Sequence, residues 1–376
     1  MRWLFVAIII FALLIGIFLF WRIPTLESIP SEKSRNYVRE KLSIIIPARN
    51  EEKNLQVLFA SLASQSDAPF EIIVANDQSG DRTKETAESY GARVVDVPEL
   101  PDGWSGKSWA CWNGAKASSG EWLLFLDADT YFEKNGLTRL ADFFRHIEAK
   151  GVLTVHPFHE TKKFYESGSS LFHLMTVGAI GAFAPEWARK KANGAFGQAL
   201  MCTRKGYFGW GGHESIKSEI VENMAMGERI LESGKSIFYA SGKKAVSMRM
   251  YPDGVKSMTY GWAKSFASGA KTAKFVYLVL SSIWIAGLIS FFVKIPLLFT
   301  DSWLPLILLY AAAAVQLGSA LSKFGRFSKW SVLLFPLHIL YFLSVFGFSI
   351  YQTFIRKNAS WKGRSIVKSA KEAHRK

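Results

Sequence analysis

Short apolar runs that stop abruptly at polar residues organise the first half of the chain. Leu42 to Ile46 stops at Pro47-Ala48-Arg49-Asn50-Glu51-Glu52, Glu71 to Ala75 at Asn76-Asp77-Gln78-Ser79-Gly80-Asp81, and Trp122 to Leu126 at Asp127-Ala128-Asp129. Apolar runs of this length with turn-forming residues behind them predict buried strands, the first ended by Pro47. The stretches between are polar. Asn50 or the glutamates after it open one helix, and Asp81 caps another that Gly91 terminates. A further strand is expected at Arg93 to Val97. Strands alternating with helices define an α/β class with a mostly parallel sheet, and such sheets bind ligands outside the carboxyl ends of their strands.

Longer apolar blocks flank this part. Trp3 to Trp21 is a run of nineteen uncharged residues, enough for one membrane crossing, with a tryptophan at each end suited to the interface. No small-residue cleavage site follows it, so it reads as an anchor and not a signal peptide. Phe275 to Val293, Trp303 to Leu321 and Trp330 to Phe354 are three more blocks, of which Trp303 to Leu321, with Gln316 and an alanine run, is the weakest candidate span. Two other stretches are candidate membrane-surface helices. Leu171 to Ala184 is short, and Val255 to Lys274 mixes Met258, Tyr260, Trp262 and Phe266 with lysines, as interfacial segments do. The expected order is an anchor at 1–22, a basic connector at 23–41, a soluble domain at 42–250, an interfacial amphipathic helix at 251–274, membrane helices at 275–355 and a basic tail at 356–376.

The net charge of +15 over 376 residues raises the question of nucleic acid, but its distribution argues against that partner. Arg22, Lys33, Arg35, Arg39 and Lys41 follow the first apolar block, Lys323, Arg326 and Lys329 separate the last two, and the tail carries eight more cations. These are flanks of membrane segments. The first group places the soluble domain in the cytosol, yet three later crossings would put the basic tail outside, against the same rule. One block is therefore expected to be re-entrant or interfacial. With Cys111 and Cys202 as the two cysteines, a disulfide framework is not expected and a reducing compartment fits.

The candidate chemistry sits at the strand ends. Asp127 and Asp129 bring two carboxylates to one sheet edge, a hard oxygen set suited to Mg²⁺ or Mn²⁺ holding a diphosphate, although an ordinary Asp-rich turn has the same residues. Gly106-Lys107-Ser108 before a helix imitates a nucleotide phosphate loop. The imitation breaks at Pro101, which stands where a glycine would be needed and has no backbone N–H to donate.

In ordered combination, Ile46-Pro47-Ala48-Arg49-Asn50-Glu51-Glu52, Asn76-Asp77-Gln78-Ser79, Lys107 through Asn113-Gly114, and Asp127-Ala128-Asp129 resemble family 2 glycosyltransferases, over Leu42 to about Gly234. Gly211-Gly212-His213, Arg249-Met250-Tyr251, Gly261-Trp262 and Trp361-Lys362-Gly363-Arg364 look like the membrane-bound branch that glycosylates diaponeurosporenoate and similar lipids. The resemblance implies a GT-A fold and inverting transfer from a nucleotide sugar. It also implies site residues: Pro47, Arg49 and Glu51 frame the base, and Asp77 accepts from the uracil N3–H. Lys107 meets the diphosphate, Asp127 positions ribose or donor sugar, and Asp129 holds the metal. Arg249 and Lys264 are candidates for the β-phosphate, with Trp262 as a stacking wall.

Family members usually carry a general-base aspartate on a helix edge. Here that place reads Val221-Glu222-Asn223, leaving Glu222 as the nearest carboxylate and His213 or Glu214 as substitutes. The Gln-x-x-Arg-Trp signature of processive synthases is missing from the sequence, which suggests transfer of one sugar. The expectation is a multi-pass cell-membrane enzyme that moves a hexose, glucose by resemblance, from a UDP-sugar to a lipid, with a carotenoid acid the suggested acceptor. Hopanoid, glycerolipid and polyprenyl-phosphate acceptors stay open, as do a P-loop NTPase and an inert nucleotide-sugar scaffold. Nothing in the sequence speaks to oligomeric state.

Overall fold

The strands expected from pattern form, with small shifts at their ends. They are β1 (Leu42–Ala48), β2 (Glu71–Asn76), β3 (Arg93–Asp96) and β4 (Trp122–Leu126), and they are joined by strands that the pattern did not mark: β5 (Thr130–Phe132), β6 (Val152–His156), β7 (Phe158–His159), β8 (Ala199–Thr203), β9 (Ile237–Ser241) and β10 (Val246–Met248). The structure, a computed structural model, describes residues 2–26, 41–189, 192, 194–219, 222–293, 303–352, 360–361 and 364–365, without the side chains of 2–3, 264–272, 293, 360–361 and 364–365. The chain divides into two compact units. One comprises residues 24–158, 194–249 and 358–376, and the other residues 1–23, 159–193 and 250–357.

The first unit is built on a seven-stranded sheet in the order β3-β2-β1-β4-β8-β6-β9. Pairs β1–β2, β1–β4, β2–β3 and β6–β9 are parallel, and β8 runs antiparallel to both neighbours. Every residue of β4 and β6 is buried, and the continuous apolar sequence of β4 follows from that: both faces are covered. Ile44, Ile46, Leu124 and Leu126 pack with Leu55, Leu58, Leu137 and Phe144 on one face. Ile45, Leu123 and Phe125 pack with Cys111, Ala115 and Tyr207 on the other. Pro47 lies inside β1 and does not end it, in register with Ala75 of β2. Pairing with β4 has already stopped at Ile45 opposite Phe125, so the missing N–H of Pro47 is tolerated at the strand's outer end.

The second unit is helical. Its helices include Arg2–Leu19, Ser170–Ile180, Val255–Thr272, Phe275–Val293, Trp303–Phe324, Lys329–Leu333 and Phe335–Ile350. Two of them, Phe275–Phe292 and Trp303–Phe324, are long and apolar enough to cross a membrane, while Leu4–Leu19 and Phe335–Ile350 are shorter apolar helices. Trp303–Phe324, expected to be the weakest span, is thus one of the two strongest. The last apolar block is broken instead, at Leu334, with Pro336 in the first turn of the helix that follows. Gln316 is no blemish: its Nε2 donates to Leu13 O at 2.7 Å and its Oε1 accepts from Trp284 Nε1 at 3.0 Å, the interhelical hydrogen bonding that holds apolar bundles together. Small residues permit the approach, since a Cβ on Gly287 would lie 2.1 Å from that of Ala12.

Ser170–Ile180, expected at a membrane surface, is buried along nearly its whole length. Gly178 faces Ser281 closely, and Gly181, in the left-handed region at φ 72°, ends the helix against the Tyr277 ring. Residues 159–193 therefore belong with the apolar helices although they interrupt the α/β unit in sequence. Val255–Thr272 packs on Phe335–Ile350, where Thr259 and Tyr341 hydroxyls meet at 2.9 Å and Tyr260 stacks edge-on with Phe348.

Candidate active site

Three parallel strands deliver their polar stops to one place. A cavity of about 220 Å³ is lined by Pro47, Ala48, Arg49 and Glu51 after β1, Asp77 after β2, Gly106, Lys107 and Ala110 of the helix Gly106–Ala117, and Asp127, Ala128 and Asp129 after β4. The loops behind β1 and β2 are tied together. Asp77 N donates to Ala48 O at 2.8 Å, and Asn50, in the left-handed region at φ 54°, accepts from Gly80 N at 2.8 Å through its Oδ1. Asp81 accepts from both Thr83 N and Glu52 N at 3.1 Å, so a single carboxylate serves the first turns of two helices.

Asp77 is buried, and Arg49 holds it from the cavity wall, donating from Nη1 to Asp77 O at 3.0 Å with Oδ2 at 3.4 Å. Lys107 lies between two carboxylates, 2.7 Å from Asp127 Oδ1 and 3.4 Å from Glu222 Oε1, and also meets Gly197 O at 3.4 Å. Burial opposes its charge, but Asp127 and Glu222 outweigh that effect and hold its pKa above the ordinary value. Glu222 opens the helix Glu222–Glu232 and accepts from Ser108 Oγ at 3.0 Å. Ser108 is itself bound to Ser105, the N-cap of Gly106–Ala117. That helix therefore starts on a serine cap, and the chain ahead of it makes a turn that Trp104 N closes on Pro101 O at 3.2 Å.

Asp129 is the least satisfied member. Its Oδ1 is buried without a hydrogen-bond partner, and burial, followed by the carboxylates of Asp127 and Glu51, pushes its pKa up to about 7. Among the described residues no group of three or more His, Cys, Asp and Glu is arranged to hold a metal by itself. The donor set nevertheless fits a Mg²⁺ or Mn²⁺ ion that takes its remaining oxygens from a diphosphate and water, because a cation would compensate the desolvated carboxylate. Asp129, with Asp127 beside it, is the group that would hold such an ion.

The other expected residues lie elsewhere. His213 is in the core, its Nδ1 2.9 Å from the Tyr207 hydroxyl and its ring against Phe125, and burial followed by the Lys107 charge drives its pKa down to about 3. It does not line the cavity. Trp262 belongs to the helical unit, stacked on Phe172 at 4.9 Å with Nε1 donating to Ser169 Oγ at 3.0 Å. Arg249 follows β10 and does not line the cavity, and the Lys264 side chain lies outside the described residues. Two features escaped the sequence reading. Ala110 and Ala128 line the cavity, and Gly197 faces Asn223 so closely that a Cβ on it would come within 2.0 Å of Asn223 Oδ1.

A mostly parallel sheet whose first, second and fourth strands end at a cavity holding an Asp-x-Asp pair is the arrangement of a GT-A nucleotide-sugar transferase. A sequence model described as "Glycosyl transferase family 2" matches residues 43–222. The 4,4'-diaponeurosporenoate glycosyltransferases of Staphylococcus aureus strains USA300 and NCTC 8325 are 34% identical over 337 residues, 88% of this chain and 90% of theirs. The chain belongs to glycosyl transferase family 2 and is a glycosyltransferase. A mannosyltransferase from Pyrobaculum calidifontis, solved with GDP-Man and Mn²⁺, shares the fold at 14% identity with a TM-score of 0.54, over 93% of this chain and 99% of that one.

Proposed function

We propose that the chain transfers one hexose, glucose, from a UDP-sugar to a membrane lipid whose nucleophile is a carboxylate, giving a glycosyl ester at the cytosolic side of the cell membrane. The observation that carries the donor assignment is Asp77, buried at the cavity wall and held by Arg49. A fixed carboxylate there accepts the uracil N3–H and so favours uracil over bases, such as cytosine, that lack the donor. Pro47, Arg49 and Glu51 frame the base, Lys107 turns from Asp127 toward the diphosphate, and Asp127 orients ribose or sugar. A bound Mn²⁺ or Mg²⁺ on Asp129 would supply neutralisation of the charge on the leaving diphosphate.

The acceptor side rests on Asn223 and on the name of the Staphylococcus relatives, a transferase acting on a carboxylic acid. A carboxylate is ionised at neutral pH, its pKa lying near 4, so no base is needed where the family usually has an aspartate. One acceptor oxygen attacks the anomeric carbon, the bond to the β-phosphate oxygen breaks with its electron pair leaving on UDP, and no proton is transferred. Glu222, held between Ser108 and Lys107, then acts as a support for the lysine. Arg249 and Lys264 remain candidates for steadying the anionic partners.

The test uses purified full-length protein in mild detergent with UDP-glucose, Mn²⁺ and either an apolar polyene carboxylic acid or its alcohol. The acid should be glucosylated to a product that mild alkali cleaves, and Glu222→Gln should retain substantial turnover. If the alcohol is the substrate and Glu222→Gln abolishes transfer while UDP binding survives, Glu222 is a general base and the acceptor is a hydroxyl.

A further inference from the structure

An open groove of about 470 Å³ lies wholly within the helical unit. Ala314, Gly318 and Leu321 of the helix Trp303–Phe324 line it along one side, Phe327 and Val332 along the other, and Lys329 stands on its wall. Among the described residues that line it, Ser322 and Lys329 are the polar side chains. Ala314 and Gly318 are four residues apart and so share a helix face, and the missing side chain at Gly318 keeps the slot open. A Cβ there would lie 3.4 Å from the nearest Val332 methyl, an ordinary contact.

The groove has a direction. The helix beneath it is apolar enough to cross a membrane, and Ala314 to Leu321 rises about 10 Å along it. Beyond its end stand Lys323, Arg326 and Lys329, with Trp330 63% exposed beside the last. Tryptophan and lysine together mark headgroup depth. Arg326 is engaged by Glu160 at 3.3 Å, whereas Lys329 is exposed on the groove wall. An apolar slot that starts at hydrocarbon depth and ends at an interfacial cation matches an acyl chain with an anionic head.

We infer that this groove binds an anionic glycerophospholipid, one acyl chain lying along Ala314, Gly318 and Leu321 and the phosphate meeting Lys329. A phosphatidylcholine carries its own compensating cation, and free phosphate has no chain to fill the slot. The inference stands on the helical unit alone and is independent of the sugar-transfer reading.

The experiment is native mass spectrometry of the full-length protein in mild detergent, titrated with dioleoyl-phosphatidylglycerol or dioleoyl-phosphatidylcholine. The glycerol lipid should be retained several-fold more than the choline lipid, and millimolar inorganic phosphate should not displace it. Lys329→Gln, an exposed change that leaves packing intact, should erase the preference. Gly318→Leu, which fills the slot and replaces glycine by a better helix former, should reduce retention of both lipids. Equal retention of the two lipids by the unaltered protein, displacement by phosphate, or retention indifferent to both substitutions would overturn the assignment.

Discussion

Asp129 shows at the residue scale how a site stores unfavourable electrostatics for later use. A buried carboxylate oxygen without a partner destabilises the protein that carries it, on the order of 1 kcal/mol or more. Asp129→Asn should accordingly raise the melting temperature of the metal-free protein while abolishing the Mn²⁺-dependent binding of UDP seen by calorimetry. A variant that melts lower, or still binds UDP in a metal-dependent way, would remove Asp129 from the role of ligand. The buried histidines work in the opposite direction. His213 and His156 have folded pKa values of about 3 and about 4 against an ordinary 6.5. The unfolded chain therefore takes up protons that the folded one refuses as pH falls below 6.5, and stability present above that pH is lost on the way to about 4. The slope approaches about 1.4 kcal/mol per pH unit for each histidine. Melting temperatures should drop between pH 7 and pH 5, and His213→Asn, although less stable at pH 7 through its lost contact with Tyr207, should show a shallower fall. A flat profile for the unaltered protein would contradict buried neutral imidazoles.

Elements carry the next level of constraint, where Gly197 and Asn223 meet. Gly197 stands just ahead of β8, Asn223 is in the first turn of Glu222–Glu232, and Ala195 N donates to Asn223 O at 2.8 Å. Gly197→Ala would drive a methyl into Asn223 Oδ1 and cost about 1–3 kcal/mol as overpacking. Adding Asn223→Ala should return most of that stability in a thermal melt, because the collision is with a side chain. If the double variant stays as unstable as Gly197→Ala, the contact is not the cause. This neighbourhood was invisible in the sequence because β8 enters antiparallel between β4 and β6, a long-range pairing that no local pattern encodes. The strand ends were legible for the converse reason: Asp127 directly follows a continuous apolar run, Asp77 and Asp129 stand within three residues of the end of one, and parallel strands place such residues at one edge. Lys107 was legible as a ligand candidate, but its bridge to Glu222 was not, since 115 positions of chain separate them. The affiliation of residues 159–193 with the apolar helices was hidden too, as burial inside a helical bundle and exposure at a membrane leave the same apolar signature.

For the whole molecule, the lengths of the helices offer a way out of the charge conflict along the chain. Phe335–Ile350 has 16 residues, about 24 Å of rise against a hydrocarbon core of about 30 Å, and a proline in its first turn. If it lies in one leaflet without crossing, the crossings that remain are the amino-terminal helix, Phe275–Val293 and Trp303–Phe324. If the α/β unit faces the cytosol, as proposed above, the chain then exits through the second, returns through the third, and brings Lys323, Arg326, Lys329 and the whole basic tail to the cytosolic side. Every basic cluster then obeys the positive-inside bias, whereas a fourth crossing would place eight tail cations outside. Cys111 and Cys202 are buried, so single cysteines added elsewhere report cleanly. A membrane-impermeant maleimide applied to intact cells should label Ser302→Cys and leave Ser369→Cys untouched until the membrane is permeabilised. Labelling of Ser369→Cys from outside would mean that the short helix crosses after all. Labelling of neither before permeabilisation would refute the hairpin formed by the two long helices.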